Sequence, residues 1–142
     1  MSDHDFHTSF SKQTWEAFKT AQRPGPLQML NLIRLRDHAD YADGRASTGA
    51  EAYTRYSDIS APVFELLGGK IVWRGGHELT MVGPQSEVWH IAFVAEYPSV
   101  GAFVDMMKDP IYREAMVHRQ AGVLDSRLLR FCANAPGNSF AG

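Results

Sequence analysis

Val88-Trp89-His90-Ile91-Ala92-Phe93-Val94-Ala95-Glu96-Tyr97 is the stretch whose pattern decides the architecture. Trp89, Ile91, Phe93 and Ala95 alternate with His90, Ala92, Val94 and Glu96, so an extended backbone here sends largely apolar groups to both sides. A strand apolar on both faces belongs at the centre of a sheet that is covered above and below. Gly83-Pro84 and Pro98-Ser99 punctuate its two ends. Upstream, residues 70–74 read as a short strand, Gly75-Gly76 as a bulge and residues 77–82 as resumed extended chain. Before them, residues 49–67 carry Tyr56, Ile59, Val63 and Leu67 at helical spacing, and Gly68-Gly69 ends the helix. Pro62 inside it removes a backbone donor, which predicts a bend or loosened turn near Asp58.

Farther out, residues 28–36 form the first strand, with Leu30 and Leu32 opposing Met29, Ile33 and Leu35, again apolar on both faces. A polar, turn-rich segment at residues 37–47 joins it to the helix. Downstream of Tyr97, Val100, Phe103, Val104 and Met107 mark a helix that Asp109-Pro110 breaks, and a second helix runs over residues 111–121 to Gly122. Residues 126–133 close the series as a last strand. The chain divides into an N-terminal extension (1–27), the main domain (28–133) and a short tail (134–142).

Within the extension, Ser11 caps a helix over residues 12–22 that Arg23-Pro24-Gly25-Pro26 stops. Trp15, Phe18 and Ala21 form a stripe that docks on the main body. His4 and His7, beside Asp3 and Asp5, read as a mobile tail in preference to a metal site.

Composition sets the bounds. The chain has 142 residues, 44% hydrophobic and 21% charged, enough for one domain with its own core. Fourteen basic against sixteen acidic side chains leave a net charge of −2, which provides no general pull toward nucleic acid. The single cysteine, Cys132, excludes an intramolecular disulfide. Acids and histidines stand at residues 1–7 where a secretory leader would be basic and then apolar, so the expected location is cytoplasmic. The longest apolar window, residues 88–95, falls well short of the roughly 18–20 residues of a membrane-spanning helix, so no membrane partner is expected.

The order β, α, β, β, α, β after an N-terminal helix is the split arrangement of the ferredoxin-like α+β fold. Two helices cover one face of its sheet, yet the strands demand cover on both. A second copy answers that demand: a homodimer whose two sheets pack face to face as a dimeric α+β barrel.

Met29-Leu30-Asn31-Leu32, Gly49-Ala50-Glu51-Ala52-Tyr53-Thr54-Arg55-Tyr56, Gly68-Gly69-Lys70-Ile71-Val72-Trp73, Tyr97-Pro98-Ser99, Asp109-Pro110-Ile111-Tyr112 and His118-Arg119-Gln120-Ala121-Gly122 occur in that order across residues 28–133. Together they resemble the domain of unknown function family numbered 1330. The resemblance implies a dimeric ferredoxin-like α+β barrel and leaves the activity unassigned. Where similar sequences commonly carry Asp after the residue matching Trp89, this chain has His90. The wider group that shares such a barrel includes small cofactor-independent monooxygenases, haem degraders and isomerases with a pocket beside each sheet.

His118 and Arg119 are the leading candidates for chemistry. A guanidinium beside an imidazole, reached from the sheet by Asn31, suits a carboxylate or enolate, with His118 as base and Arg119 stabilising negative charge. The plainer alternative pairs Arg119 with Glu96 or Asp125 and lets His118 cap carbonyls at the helix end. Tyr53 and Tyr56, three apart on one helix, offer phenols to a ligand oxygen or serve as amphipathic core. Arg74 reaches an anion across the bulge or makes a surface ion pair.

His77-Glu78 opens like a zinc-protease motif, but Met81 stands where its second histidine belongs, and no metal is expected. Gly-x-Ser-x-Gly, dinucleotide and phosphate-loop patterns are missing too, so no cofactor is expected. The residues point to a small homodimer that binds a partly apolar anionic molecule. If it is an enzyme, the resemblance implies cofactor-independent oxygenation or isomerisation; the alternative is a non-catalytic ligand carrier or structural dimer module.

Overall fold

The structure, a computed structural model, describes residues 6–142. Its strands follow from the alternation and its helices from well-formed caps. Strand β1 (Leu27–Leu35) is followed by an 18-residue helix, which we label α2 (Gly49–Leu66) because α1 (Lys12–Thr20) precedes both. Thr48 starts α2 with a capping box: its hydroxyl accepts from the Glu51 amide, and the Glu51 carboxylate accepts from the Thr48 amide. The helix continues through Pro62 and stops at Leu67, where Gly68 takes φ +82°. Strands β2 (Lys70–Gly75) and β3 (Ile91–Tyr97) come next, then α3 (Val100–Lys108), α4 (Pro110–Gly122) and β4 (Val123–Phe131). Ser99 caps α3, and Asp109 caps α4 with Pro110 in its first turn.

The four strands form one antiparallel sheet in the order β2-β3-β1-β4, which with this connectivity is the ferredoxin-like fold. Residues 77–82, expected as extended chain, belong to a long loop: the β2–β3 ladder ends at Gly75 opposite Ala92. Trp89 and His90 likewise precede β3 instead of opening it. The ladder irregularity expected at Gly75-Gly76 falls earlier, between Ile71 and Trp73. His90 secures a second irregularity, at Arg34/Leu35: its ring Nδ1 accepts from the Leu35 amide at 2.9 Å and its amide donates to the Ile33 carbonyl.

Register assigns the two faces. Met29, Asn31 and Ile33 of β1 share a face with Ala95, Phe93 and Ile91 of β3 and with Arg130, Leu128 and Ser126 of β4. This side meets the helices: Leu27, Met29, Ala95, Tyr97, Val100, Phe103, Met106 and Tyr112 form the main buried cluster. The opposite face brings Leu30 and Leu32 together with Val94, Leu129 and Trp73, and among the described residues no helix packs on it. Trp73 is 52% and Leu129 42% exposed there.

The helices meet through glycine. A Cβ on Gly122 would lie 2.7 Å from the Gly49 carbonyl oxygen and 3.0 Å from the Ala52 Cβ, so α2 and α4 approach at a distance that only glycine allows. Helix α1 rests on α3 through Trp15 and Phe18 against Phe103, as its apolar stripe predicts. His4 lies outside the described residues. His7 is tied down, since its amide donates to Asp125 Oδ1. Cys132, expected inside the last strand, stands one residue past β4 and is exposed.

Candidate functional site

Between the helix-facing side of the sheet and helices α3 and α4 lies a cavity of about 1030 Å³. That is the upper end of the range for small-molecule sites, roughly 300–1,000 Å³. Its floor is the sheet, where Asn31 sits in register between Phe93 and Leu128. One wall is α4: Tyr112, Met116 and Arg119 recur at intervals of four and three and therefore share one helix face. Tyr56 reaches in from α2, and Thr8, Phe10, Trp15 and Phe18 of the N-terminal extension form the outer wall of this partly open cavity. Four of the six methionines, Met29, Met106, Met107 and Met116, line it, giving soft walls that adapt to a guest's shape.

Arg119 is the cavity's most enclosed cation, 9% exposed. Its Nη1 donates to the Thr8 carbonyl at 2.9 Å, and among the described residues no carboxylate pairs with it. The ion pairs expected for it are taken by others. Glu96 binds Lys70 and Gln28, while Asp125 accepts from Arg127 at 2.7 Å and from the His7 and Ser126 amides. Arg130, also at the cavity, donates to the Phe18 and Ala21 carbonyls.

The phenols form a connected group. Tyr56 and Tyr112 share a 2.8 Å hydrogen bond between their hydroxyls, and the Tyr53 ring lies 5.2 Å from that of Tyr56. Burial pushes the Tyr53 and Tyr112 hydroxyls well above the usual tyrosine range, the neighbouring Tyr56 adds to the rise, and the Arg119 charge opposes it. At neutral pH these groups are hydrogen-bond donors and not bases.

Asn31, Tyr56 and Arg119 thus converge on one cavity. Tyr53 stands behind them, packed with Ile33 and Val123. Arg74 is exposed on the edge strand and does not line the cavity. His118 points elsewhere, because successive residues on a helix diverge by about 100°. Its Nδ1 lies 2.7 Å from the Tyr41 hydroxyl, which also accepts from Arg55, whose Nη1 donates to Ser47 as well. That network fastens the loop before α2 onto α2 and α4.

Tyr112 escaped the sequence reading although its spacing to Arg119 places the two on one helix face. The residues from the extension had no local signal tying them to residues more than a hundred positions away. Among the described residues no group of metal-ligating side chains is assembled, and no helix is long and apolar enough to cross a membrane.

The model of a domain of unknown function, DUF1330, matches residues 45–129. A crystal structure of the RPA0582 protein of Rhodopseudomonas palustris, a protein of unknown function, is 53% identical, with 93% of this chain and 100% of that chain aligned at a TM-score of 0.90. The structure of methylated RPA0582 is 54% identical over 94% of this chain and 98% of that one, with a TM-score of 0.92. SnoaB, a cofactor-independent oxygenase from Streptomyces nogalater, shares the fold at 14% identity and a TM-score of 0.51, over 79% of this chain and 96% of its own. No curated protein matches the chain.

Proposed function

The chain belongs to the DUF1330 family, and from that premise we propose that it binds a small, partly apolar anion in the cavity between sheet and helices. The observation that carries this reading is Arg119: a buried guanidinium in a largely apolar cavity, bonded to a backbone carbonyl and paired with no carboxylate among the described residues. Burying a cation without a counter-charge is costly, and an anionic guest supplies the missing partner through charge-assisted hydrogen bonds. In this reading Asn31, whose amide also donates to the Met29 carbonyl, and the Tyr56–Tyr112 hydroxyls hold further oxygens, and the methionines and aromatic rings take the apolar part.

If the guest is transformed, the fitting class is cofactor-independent oxygenation or isomerisation, with Arg119 and the phenols stabilising charge on an enolate-like oxygen. The place of His118 beside Tyr41, outside the cavity lining, speaks against its serving as the base and favours the alternative of a carrier. In the assembly we propose, a cytoplasmic homodimer, two open sheet faces pack together.

Calorimetric titration with 1-naphthoate and with the neutral 1-naphthalenemethanol tests the anion site. The acid is expected to bind more tightly, and Arg119→Gln to weaken it by about ten- to a hundredfold, the worth of a hydrogen bond to a charged group. Equal binding of acid and alcohol would sink the anion reading. Chemical change in the bound guest, followed by mass spectrometry and oxygen uptake, separates enzyme from carrier.

A further inference from the structure

The cavity's outer wall is not part of the sheet or of the helices packed on it. It is the arm from His7 to Ala21, which lies outside the residues matched by the family model. The arm is tied at both ends. Near its start the His7 amide donates to Asp125 Oδ1 at 2.9 Å, and Ser126 Oγ donates to the His7 carbonyl at 2.7 Å. The Thr8 carbonyl accepts from Arg119 Nη1 at 2.9 Å and from Gln120 Nε2 at 3.2 Å. At its end Arg130 holds the Phe18 and Ala21 carbonyls. Between these ties α1 has no buried residue and rests on the body through Trp15 and Phe18 against Phe103. Arg23-Pro24-Gly25-Pro26, with Gly25 at φ +91°, separates the arm from β1.

Two consequences follow. Releasing the arm breaks a few polar contacts and one aromatic patch while the sheet ladders stay whole, so it opens as a unit of lower stability than the body. And the contact at Arg119 places a carbonyl oxygen on the guanidinium that an anionic guest would use.

We propose that the arm is a hinged cover over the ligand cavity, latched by Arg119, and that an entering anion competes with the Thr8 carbonyl for the guanidinium and so loosens the latch. This rests on the anion-site reading above. Cover and guest are coupled because they share one cation, and the coupling is reciprocal: to the extent that the guest loosens the latch, loosening the latch raises the guest's affinity.

Hydrogen exchange by mass spectrometry and stopped-flow binding of 1-naphthoate, read by tryptophan quenching, test the cover on the full chain. Peptides over residues 7–21 are expected to exchange ahead of those in β1 and β4, and faster still with saturating 1-naphthoate but not with 1-naphthalenemethanol. The observed binding rate should level off with 1-naphthoate concentration at the opening rate of the arm. Gln120→Ala, outside the cavity, and Ser126→Ala should each raise that plateau by up to about fivefold, the effect of one lost hydrogen bond. Binding whose rate climbs linearly, with an arm that exchanges together with the sheet, would overturn the cover and leave the anion site standing. Failure of 1-naphthoate to bind wild type and variants alike would overturn the anion site and the latch with it.

Discussion

Arg119 and His118 are neighbours in the chain and strangers in space. One peptide unit along α4 turns the first toward the sheet and the second toward Tyr41, so a motif that reads as one constellation is split by helix geometry. Asp125 shows the converse, a residue whose surroundings come from far away. Burial pushes its carboxyl up, but the His7 amide, the Arg127 guanidinium and the Ser126 amide together hold it below its ordinary value of 3.8. A depressed carboxylate stabilises the folded chain fully above its unfolded pKa, and the contribution is lost as pH falls through the folded value. Urea unfolding between about pH 5 and pH 2 should therefore show a loss of stability below about pH 4 that Asp125→Asn reduces, the remainder belonging to Asp43, Glu51 and Glu96, whose carboxyls are also held below their ordinary values. An unchanged pH profile in the variant would deny Asp125 this part.

The elements were largely legible because each carries its own periodicity and punctuation. Pro98-Ser99 announces a helix start, Asp109-Pro110 the break between two helices and Gly68-Gly69 a helix end, and the both-sided apolar pattern of residues 28–36 and 88–97 announces central strands. Residues 77–82 misled because an extended pattern becomes a strand only where a neighbour offers its backbone. Here His77 bonds Thr80 and accepts from the Trp89 amide, closing the loop on itself. The α2–α4 contact was illegible as well: Gly122 looks like an ordinary helix stop, whereas its missing side chain is what admits the Gly49 carbonyl. Gly122→Ala should cost about 1–3 kcal/mol, as overpacking does. Gly101→Ala, in α3 with only the Ser99 hydroxyl at 3.7 Å, should instead gain about 0.5–1 kcal/mol from helix propensity. The two midpoints of chemical unfolding, compared with wild type, check both signs at once.

At the scale of the whole molecule, the open sheet face is the feature that demands a partner. Leu30, Leu32, Val94, Leu129 and Trp73 form a contiguous apolar surface, larger in character than the scattered exposed residues that a monomer tolerates. In the proposed homodimer this surface becomes the barrel interior. Light scattering at micromolar concentration is expected to give twice the chain mass, and Leu129→Arg with Trp73→Glu to give a folded monomer. A monodisperse wild-type monomer would rule the pairing out.

The sequence by itself determined the element order, the two-sided strands, the family resemblance and the absence of a net charge that would draw a polyanion. These are legible because secondary structure and patterning depend on residues within a few positions of one another. Only the tertiary structure decided which groups share the cavity. It placed Asn31, Tyr56, Tyr112 and Arg119 around one space, turned His118 and Arg74 away, and brought the arm across the chain to Arg119 and Asp125. That convergence depends on strand register, helix phase and the close approach of α2 to α4, each set by contacts between residues distant in sequence, which no local pattern records.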